Sequence, residues 1–195
     1  MDYSEGTTPL DPDELGGLKF KHIETREQLD QMEQVNIQQG LIWLDKQKNA
    51  DILTIQFCLE LHKRLFGEVW DWAGTFRLKE KNIGIDPIYI SVNLKNLLDD
   101  VLAWVEFNTY TPKESALRFH HRLVQIDVFS NGNGRHSRIM ADALLKFIYK
   151  SSQMNWNSQS LLHANNQRKK YIASLRKADA HDFTQLLSLF ELKEK

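Results

Sequence analysis

Apolar residues recur along most of this chain three or four positions apart, which is helical spacing. Leu29, Met32, Ile37, Leu41 and Leu44 predict a helix over residues 25–45. Thr25-Arg-Glu-Gln28 opens it as a capping box, and Gly40 weakens its end. Ile52, Ile55, Leu59 and Leu65 predict a second helix, starting at Asp51 or Thr54 and stopped by Gly67. His62 lies on or beside that apolar face and reads as a packed histidine. Leu94, Leu97, Leu98, Val101, Leu102 and Val105 mark a third helix over Val92–Phe107. Ala116, Phe119, Leu123 and Ile126 mark a fourth, with Thr111 as N-cap and Pro112 in the first turn. A fifth runs from Arg135 to Lys150 through Ile139, Ala143, Leu144, Phe147 and Ile148. A last pair is expected from Ser158 or Ser160 to Leu175 and from Asp182 to Leu192. Only Asn82–Ile90 alternates, around Asp86-Pro87, and predicts a small β-hairpin. Residues 1–24 carry Gly6, Pro9, Pro12, Gly16 and Gly17 without a period and predict an extended arm. The fold class is all-α with one hairpin: an arm, then a single domain over 25–195.

Between the fourth and fifth helices stands Gly132-Asn133-Gly134, followed by Arg135 and Arg138. Glycines let the backbone approach a ligand, and the N–H groups that open a helix point at it with the positive end of the dipole. Two arginines on one face can add bidentate contacts to phosphate oxygens. The pattern predicts a polyphosphate site, and the plainer alternative is a cap and turn with solvated arginines.

Charge does not steer the chain to nucleic acid or membrane. The 25 basic and 26 acidic residues nearly cancel, and no apolar run reaches membrane-spanning length. The one cysteine, Cys58, lies in an apolar pattern and leaves no disulfide or cysteine metal cluster. With 42% hydrophobic residues over 195, a single domain can build its own core. The acidic start lacks a signal peptide's basic region, and a cytoplasmic protein is expected.

The residues themselves carry a resemblance. Phe129-Ser-Asn-Gly-Asn-Gly-Arg-His-Ser-Arg138 resembles the signature of the Fic (filamentation induced by cyclic AMP) domain, H-P-F-x-x-G-N-G-R-x-x-R. Phe129, Gly132, Asn133, Gly134, Arg135 and Arg138 match. Asp127 stands where the family has its catalytic His, and Val128 where it has Pro. Phe66-Gly-Glu-Val-Trp-Asp-Trp-Ala-Gly-Thr-Phe-Arg77 is similar to a run that precedes the active site in Fic domains, F-G-x-V-x-x-W-A-G-x-x-R. Arg168 to Asp179 is similar to their ending, R-x-x-Y-x-x-x-L-x-x-A-D. In detail the chain resembles a bacterial group nicknamed mobile mystery protein B, whose gene often neighbours a helix-turn-helix partner.

Fic domains of this kind move AMP from ATP, with Mg²⁺, onto a Ser, Thr or Tyr hydroxyl of a target protein. The resemblance implies that Gly132, Asn133 and Gly134 hold the α and β phosphates, and that Arg135 and Arg138 hold the β and γ end. It places Asn131 where many relatives have an acidic Mg²⁺ ligand, so the metal contact would be weak. Ile83, Gly84, Ile85, Ile88 and Tyr89 would form a flap that clamps a target segment by strand addition. Glu33 would be the inhibitory glutamate of the N-terminal helix, pairing with the second motif arginine. Leu29 and Gln34 depart from the S/T-x-x-x-E-G/N pattern of that helix.

Asp127 governs the expected activity. A carboxylate with a reference pKa of about 3.9 is a weak base near neutrality, and a general base is worth about 10²–10⁴ in rate. His136, one step past Arg135, is expected to point elsewhere. Three readings stay open: a nucleotide-binding pseudoenzyme, hydrolysis of an AMP–protein bond, or a residue changed deliberately to inactivate the protein. From another class comes a non-catalytic regulatory module, paired in toxin–antitoxin fashion with a DNA-binding partner. A homo-oligomer also stays open.

Overall fold

The computed structural model describes residues 12–23, 25–48, 50–156 and 166–193. The expectations for residues 1–11 and for the start of the helix at Ser158 or Ser160 lie outside these. Eight α-helices follow along the described chain: α1 Pro12–Leu15, α2 Arg26–Asp45, α3 Ile55–Phe66, α4 Ile90–Glu106, α5 Pro112–Ile126, α6 Asn133–Ala143, α7 Asn166–Asp179 and α8 Thr184–Leu189. None is long and apolar enough to cross a membrane.

The caps form as the sequence implies. Thr25 accepts the N–H of Gln28 at 3.2 Å, and the Gln28 side chain accepts the N–H of Thr25 at 3.1 Å. Thr54 caps α3 and Thr111 caps α5, with Pro112 in the first turn. Gly40, read from sequence as a weak point, is instead a crossing point. A Cβ there would lie 2.8 Å from the Arg64 carbonyl, so only glycine lets α2 lie this close to α3. Asn36 fastens the same crossing, donating to Arg64 O at 3.0 Å and accepting Glu68 N–H at 2.9 Å.

The chain buries two apolar clusters. The larger gathers Leu29, Leu61, Leu65, Trp70, Leu94, Leu98, Phe119 and Phe129 from α2 to α6. The smaller gathers Leu117, Leu145, Met154, Trp156, Leu186 and Phe190 around the C-terminal helices. Helix α5 feeds both, through Phe119 and Leu123 on one side and Ala116 and Leu117 on the other. Asp142 ties residues 154–156 to α6, accepting the Met154 N–H at 2.9 Å and the Trp156 indole N–H at 3.0 Å.

Three expectations are corrected. Asn82–Ile90 is not a β-hairpin: it bends, then forms a 3-10 turn over Pro87–Tyr89 that runs into α4. Asp86 accepts the Ile88 N–H and Pro87 takes the first position, so Asp86-Pro87 starts a helix where a strand turn was expected. The arm is not wholly extended, because Pro12–Leu15 is one helical turn. The fifth helix does not stay α to Lys150; it widens into a π turn over Leu144–Ile148.

Candidate functional site

The loop from α5 to α6 is built to a fixed shape. Asp127 ends α5 in the left-handed region, φ 54° and ψ 64°, and its N–H bonds to Leu123 O at 3.1 Å. Val128 and Phe129 then turn into the core. The Asn133 side chain closes the loop on itself, accepting the Phe129 N–H at 2.9 Å and donating to the Phe129 carbonyl at 2.7 Å. His62 holds it from α3: Nε2–H donates to Asn131 O at 3.0 Å while Nδ1 accepts the Gly74 N–H at 3.0 Å. Burial keeps this ring well below its ordinary pKa, stacked 3.6 Å from Phe129 by ring centroids. His62 is the packed histidine the sequence implied, and His136 likewise turns inward onto Cys58 O.

Helix α6 opens at Asn133 without a side-chain cap, leaving the first N–H groups of the helix without intrahelical partners. The two glycines differ in kind. Gly132 has φ +79°, and a Cβ on it would strike the Phe66 ring at 2.7 Å; the fold itself requires this glycine. A Cβ on Gly134 would meet only Arg138 Nη1, at 3.8 Å, among the described residues. Nothing among the described residues requires the second glycine. It leaves the helix start open, with a guanidinium above it.

The two arginines are held differently. Arg135 Nη1 pairs with Glu33 Oε2 at 2.5 Å, and Glu33 Oε1 accepts the Trp70 indole N–H at 2.7 Å. Glu33 is 1% exposed. The glutamate of the N-terminal helix therefore does reach the motif, but it engages the first arginine and not the second. Arg138 has no carboxylate within ion-pairing distance among the described residues, though Tyr171 and Asp142 lie near enough to favour its charge. It is partly exposed, and burial of its head is the main cause lowering its pKa.

Asp127 lies under a lid, the bent segment of residues 78–90. It is 1% exposed, and a Cβ on Gly84 would lie 2.6 Å from its own Cβ. Arg77, also 1% exposed, donates from Nε to the Asp127 carbonyl at 2.5 Å, and this Nε lies 3.6 Å from Oδ2. The same guanidinium donates to Lys79 O at 2.8 Å and to Ile85 O, so it fastens the lid above the carboxylate. Lys81 of the lid pairs with Glu14 of α1, whose carbonyl accepts the Trp72 indole N–H at 2.9 Å. Burial pushes the Asp127 carboxyl up to about 7, against the pull of Arg77, Lys81 and a hydrogen bond from Asn133. The weak base expected from the reference value is thus corrected: this carboxyl titrates near neutrality.

The remaining sequence-expected residues fall around this centre. Ile83, Ile88 and Tyr89 are exposed on the lid, at 39, 73 and 55%, while the Ile85 N–H donates to Ile126 O at 3.5 Å. The Asn131 side-chain oxygen accepts the Gly132 N–H at 2.5 Å. No cluster of three or more metal-ligating side chains occurs among the described residues. A single engaged amide oxygen does not make a protein metal site, so any Mg²⁺ would arrive on the substrate's phosphates. Sequence reasoning missed the roles of Arg77 and Lys81. Lys81 lies in the charged run Lys79-Glu-Lys81, which reads locally as a solvated stretch, so nothing nearby in the chain marks it as a buried anchor.

Residues 52–145 match the family model described as Fic/DOC family. Protein adenylyltransferase fic-1 of Caenorhabditis elegans is 29% identical over 106 residues, 50% of this chain and 20% of that protein. Protein adenylyltransferase Fic of Drosophila melanogaster is 30% identical over 134 residues, 67% of this chain and 26% of that protein. The chain thus spans about a fifth to a quarter of the length of these curated relatives. Among solved structures, Fic-1 from C. elegans has a TM-score of 0.66 at 23% identity, covering 89% of this chain and 50% of that one. BepC, a VirB-translocated effector from Bartonella tribocorum solved with bound AMPPNP, has a TM-score of 0.69 at 14% identity, covering 94% and 100%. The matched sequence and the shared helical fold agree, and residues 52–145 of this chain are a Fic/DOC-family domain.

Proposed function

We propose that the domain binds ATP, carried with Mg²⁺, at the start of α6, and that it is an AMP-transferring protein whose proton acceptor is Asp127. Arg138 carries the reading. Its Nη1 lies 3.8 Å from where a Cβ on Gly134 would stand, with no carboxylate in ion-pair contact among the described residues and Asp142 acting on it only at longer range. A phosphate at the open helix start would add charge-assisted hydrogen bonds to this partly desolvated cation. The names of the adenylyltransferase relatives and the AMPPNP bound to BepC support ATP as the ligand.

In the reaction, a target Ser, Thr or Tyr oxygen attacks the α phosphorus, the bond to the β-phosphate oxygen breaks, and pyrophosphate leaves. Asp127 accepts the hydroxyl proton. Its pKa of about 7 suits that task at neutral pH. Access is what limits it, because Gly84 covers the carboxylate and the lid must lift before a hydroxyl can reach it. Glu33 adds a restraint by holding Arg135 away from the phosphates. The protein as it stands therefore binds nucleotide and transfers AMP slowly.

Calorimetry with ATP and Mg²⁺ is the first test, and no binding at millimolar nucleotide would sink the reading. Labelling from ATP radioactive at the α phosphate is the second. Glu33→Gly should raise labelling, and adding Asp127→Asn should lower it by about 10²–10⁴. Binding with no labelling in any variant would leave a nucleotide-binding pseudoenzyme.

A further inference from the structure

The lid over Asp127 has few apolar contacts of its own to keep it shut. Of its isoleucines, Ile85 and Ile90 pack on the core, while Ile83 and Ile88 are exposed. So exposed a segment opens easily unless something else holds it. Lys81 stands apart: its side chain is 4% exposed, and it pairs with Glu14 of α1, whose side chain is 11% exposed. A buried ion pair seldom adds much net stability, but it makes one arrangement depend on both partners being in place. Here the partners belong to the lid and to the N-terminal arm, 67 residues apart.

The arm is itself fastened through its backbone. Lys19 N–H donates to Val69 O and Asp71 N–H to Gly17 O, both at 3.0 Å, around an antiparallel bridge between Leu18 and Trp70. The Trp72 indole N–H donates to the Glu14 carbonyl at 2.9 Å. Gly17 is buried, and a Cβ on it would lie 2.5 Å from Trp72 Cδ1, so this close seat calls for glycine. These anchors lie on residues 69–72, outside the lid. From that fixed seat Glu14 reaches across to Lys81.

We propose that residues 12–20 are a strap that keeps the lid closed over Asp127, and that parting Glu14 from Lys81 opens the site to a target hydroxyl. With the arm away, closing the lid would carry the Lys81 ammonium out of water without the Glu14 carboxylate to meet it, so the open position gains. The strap restrains the proton acceptor, as Glu33 restrains the phosphate side. That it limits catalysis rests on the AMP-transfer reading above; that it holds the lid does not.

Hydrogen exchange read by mass spectrometry, on the full chain without nucleotide, tests the lid directly. Glu14→Gln removes the charge and keeps the backbone carbonyl that holds Trp72. Amides of residues 78–90 should then exchange about tenfold faster or more, with those of α4 and α5 unchanged. Lys81→Met removes the other charge and keeps an apolar stem. In that background Glu14→Gln should add little, as a double-mutant cycle requires of a direct pair. Lid exchange at the parent rate in Glu14→Gln, or the same rise in both backgrounds, overturns the proposal. Labelling from ATP radioactive at the α phosphate should rise in Glu14→Gln and fall back when Asp127→Asn is added. Label that rises with lid exchange unchanged would mean that the arm acts through Trp70 on Glu33, and overturns it too. A lid that loosens in a protein that labels nothing leaves the strap standing and sinks AMP transfer instead.

Discussion

Replacing Asp127 by Asn should make the folded protein more stable than its parent, and increasingly so as pH rises. Burial lifts the Asp127 carboxyl from its ordinary 3.8 to about 7. Between those values the native state holds a proton that the unfolded chain has released, so native stability falls as pH rises through this window. The groups facing it are Arg77, Lys81 and Asn133, which favour the charge, and Glu14, which opposes it. At 1.36 kcal/mol per unit, the full cost of ionising this buried carboxyl is about 4 kcal/mol above pH 7. Asparagine is nearly isosteric and never ionises. Relative to the parent, it should gain about 2–3 kcal/mol between pH 5 and pH 8. Arg77 keeps its backbone acceptors at Asp127, Lys79 and Ile85 and is not stranded by the change. Urea unfolding of both proteins across pH 5–8 reads the difference directly. Other titrating groups, such as Asp142 raised to about 6, cancel in the comparison. A variant that gains nothing, or loses stability at pH 8, would mean that the Arg77 pair outweighs burial. Asp127 would then be an ordinary ionised partner, with no basic strength near neutrality.

The two motif glycines should separate fold from binding. Gly132→Ala forces a side chain into the left-handed region and against Phe66, and should cost about 2 kcal/mol or more in unfolding free energy. Gly134→Ala should leave stability unchanged or higher while weakening ATP in calorimetry; equal ATP affinity would mean that no ligand approaches there. Arg138→Ala should weaken ATP by tenfold or more but AMP little, and equal weakening of both would assign it to the fold alone. Glu33→Gln keeps an acceptor for the Trp70 indole while removing the charge on Arg135, and should tighten ATP several-fold. Unchanged affinity would mean that Glu33 does not compete with phosphate.

What the sequence determined is what depends on neighbours along the chain. The helices α2 to α6 follow from spacing three or four apart, and their starts from Thr25, Thr54 and Thr111, because a cap bonds only two or three residues ahead. The loop to α6, its glycines and its arginines could be recognised for the same reason. The tertiary structure decided everything that depends on residues far apart. Asn82–Ile90 alternates as a strand would, yet its local bonds and its fastening to Arg77 make it a bent lid. Glu33 could be picked out as a candidate, but only the crossing of α2 and α3 puts it on Arg135 in place of Arg138. Asp127 kept its place in the motif and changed its chemistry, because a pKa is set by burial and by the charges brought around it. Tyr171 and His120, 51 residues apart, meet at 2.9 Å only because α7 folds back against α5.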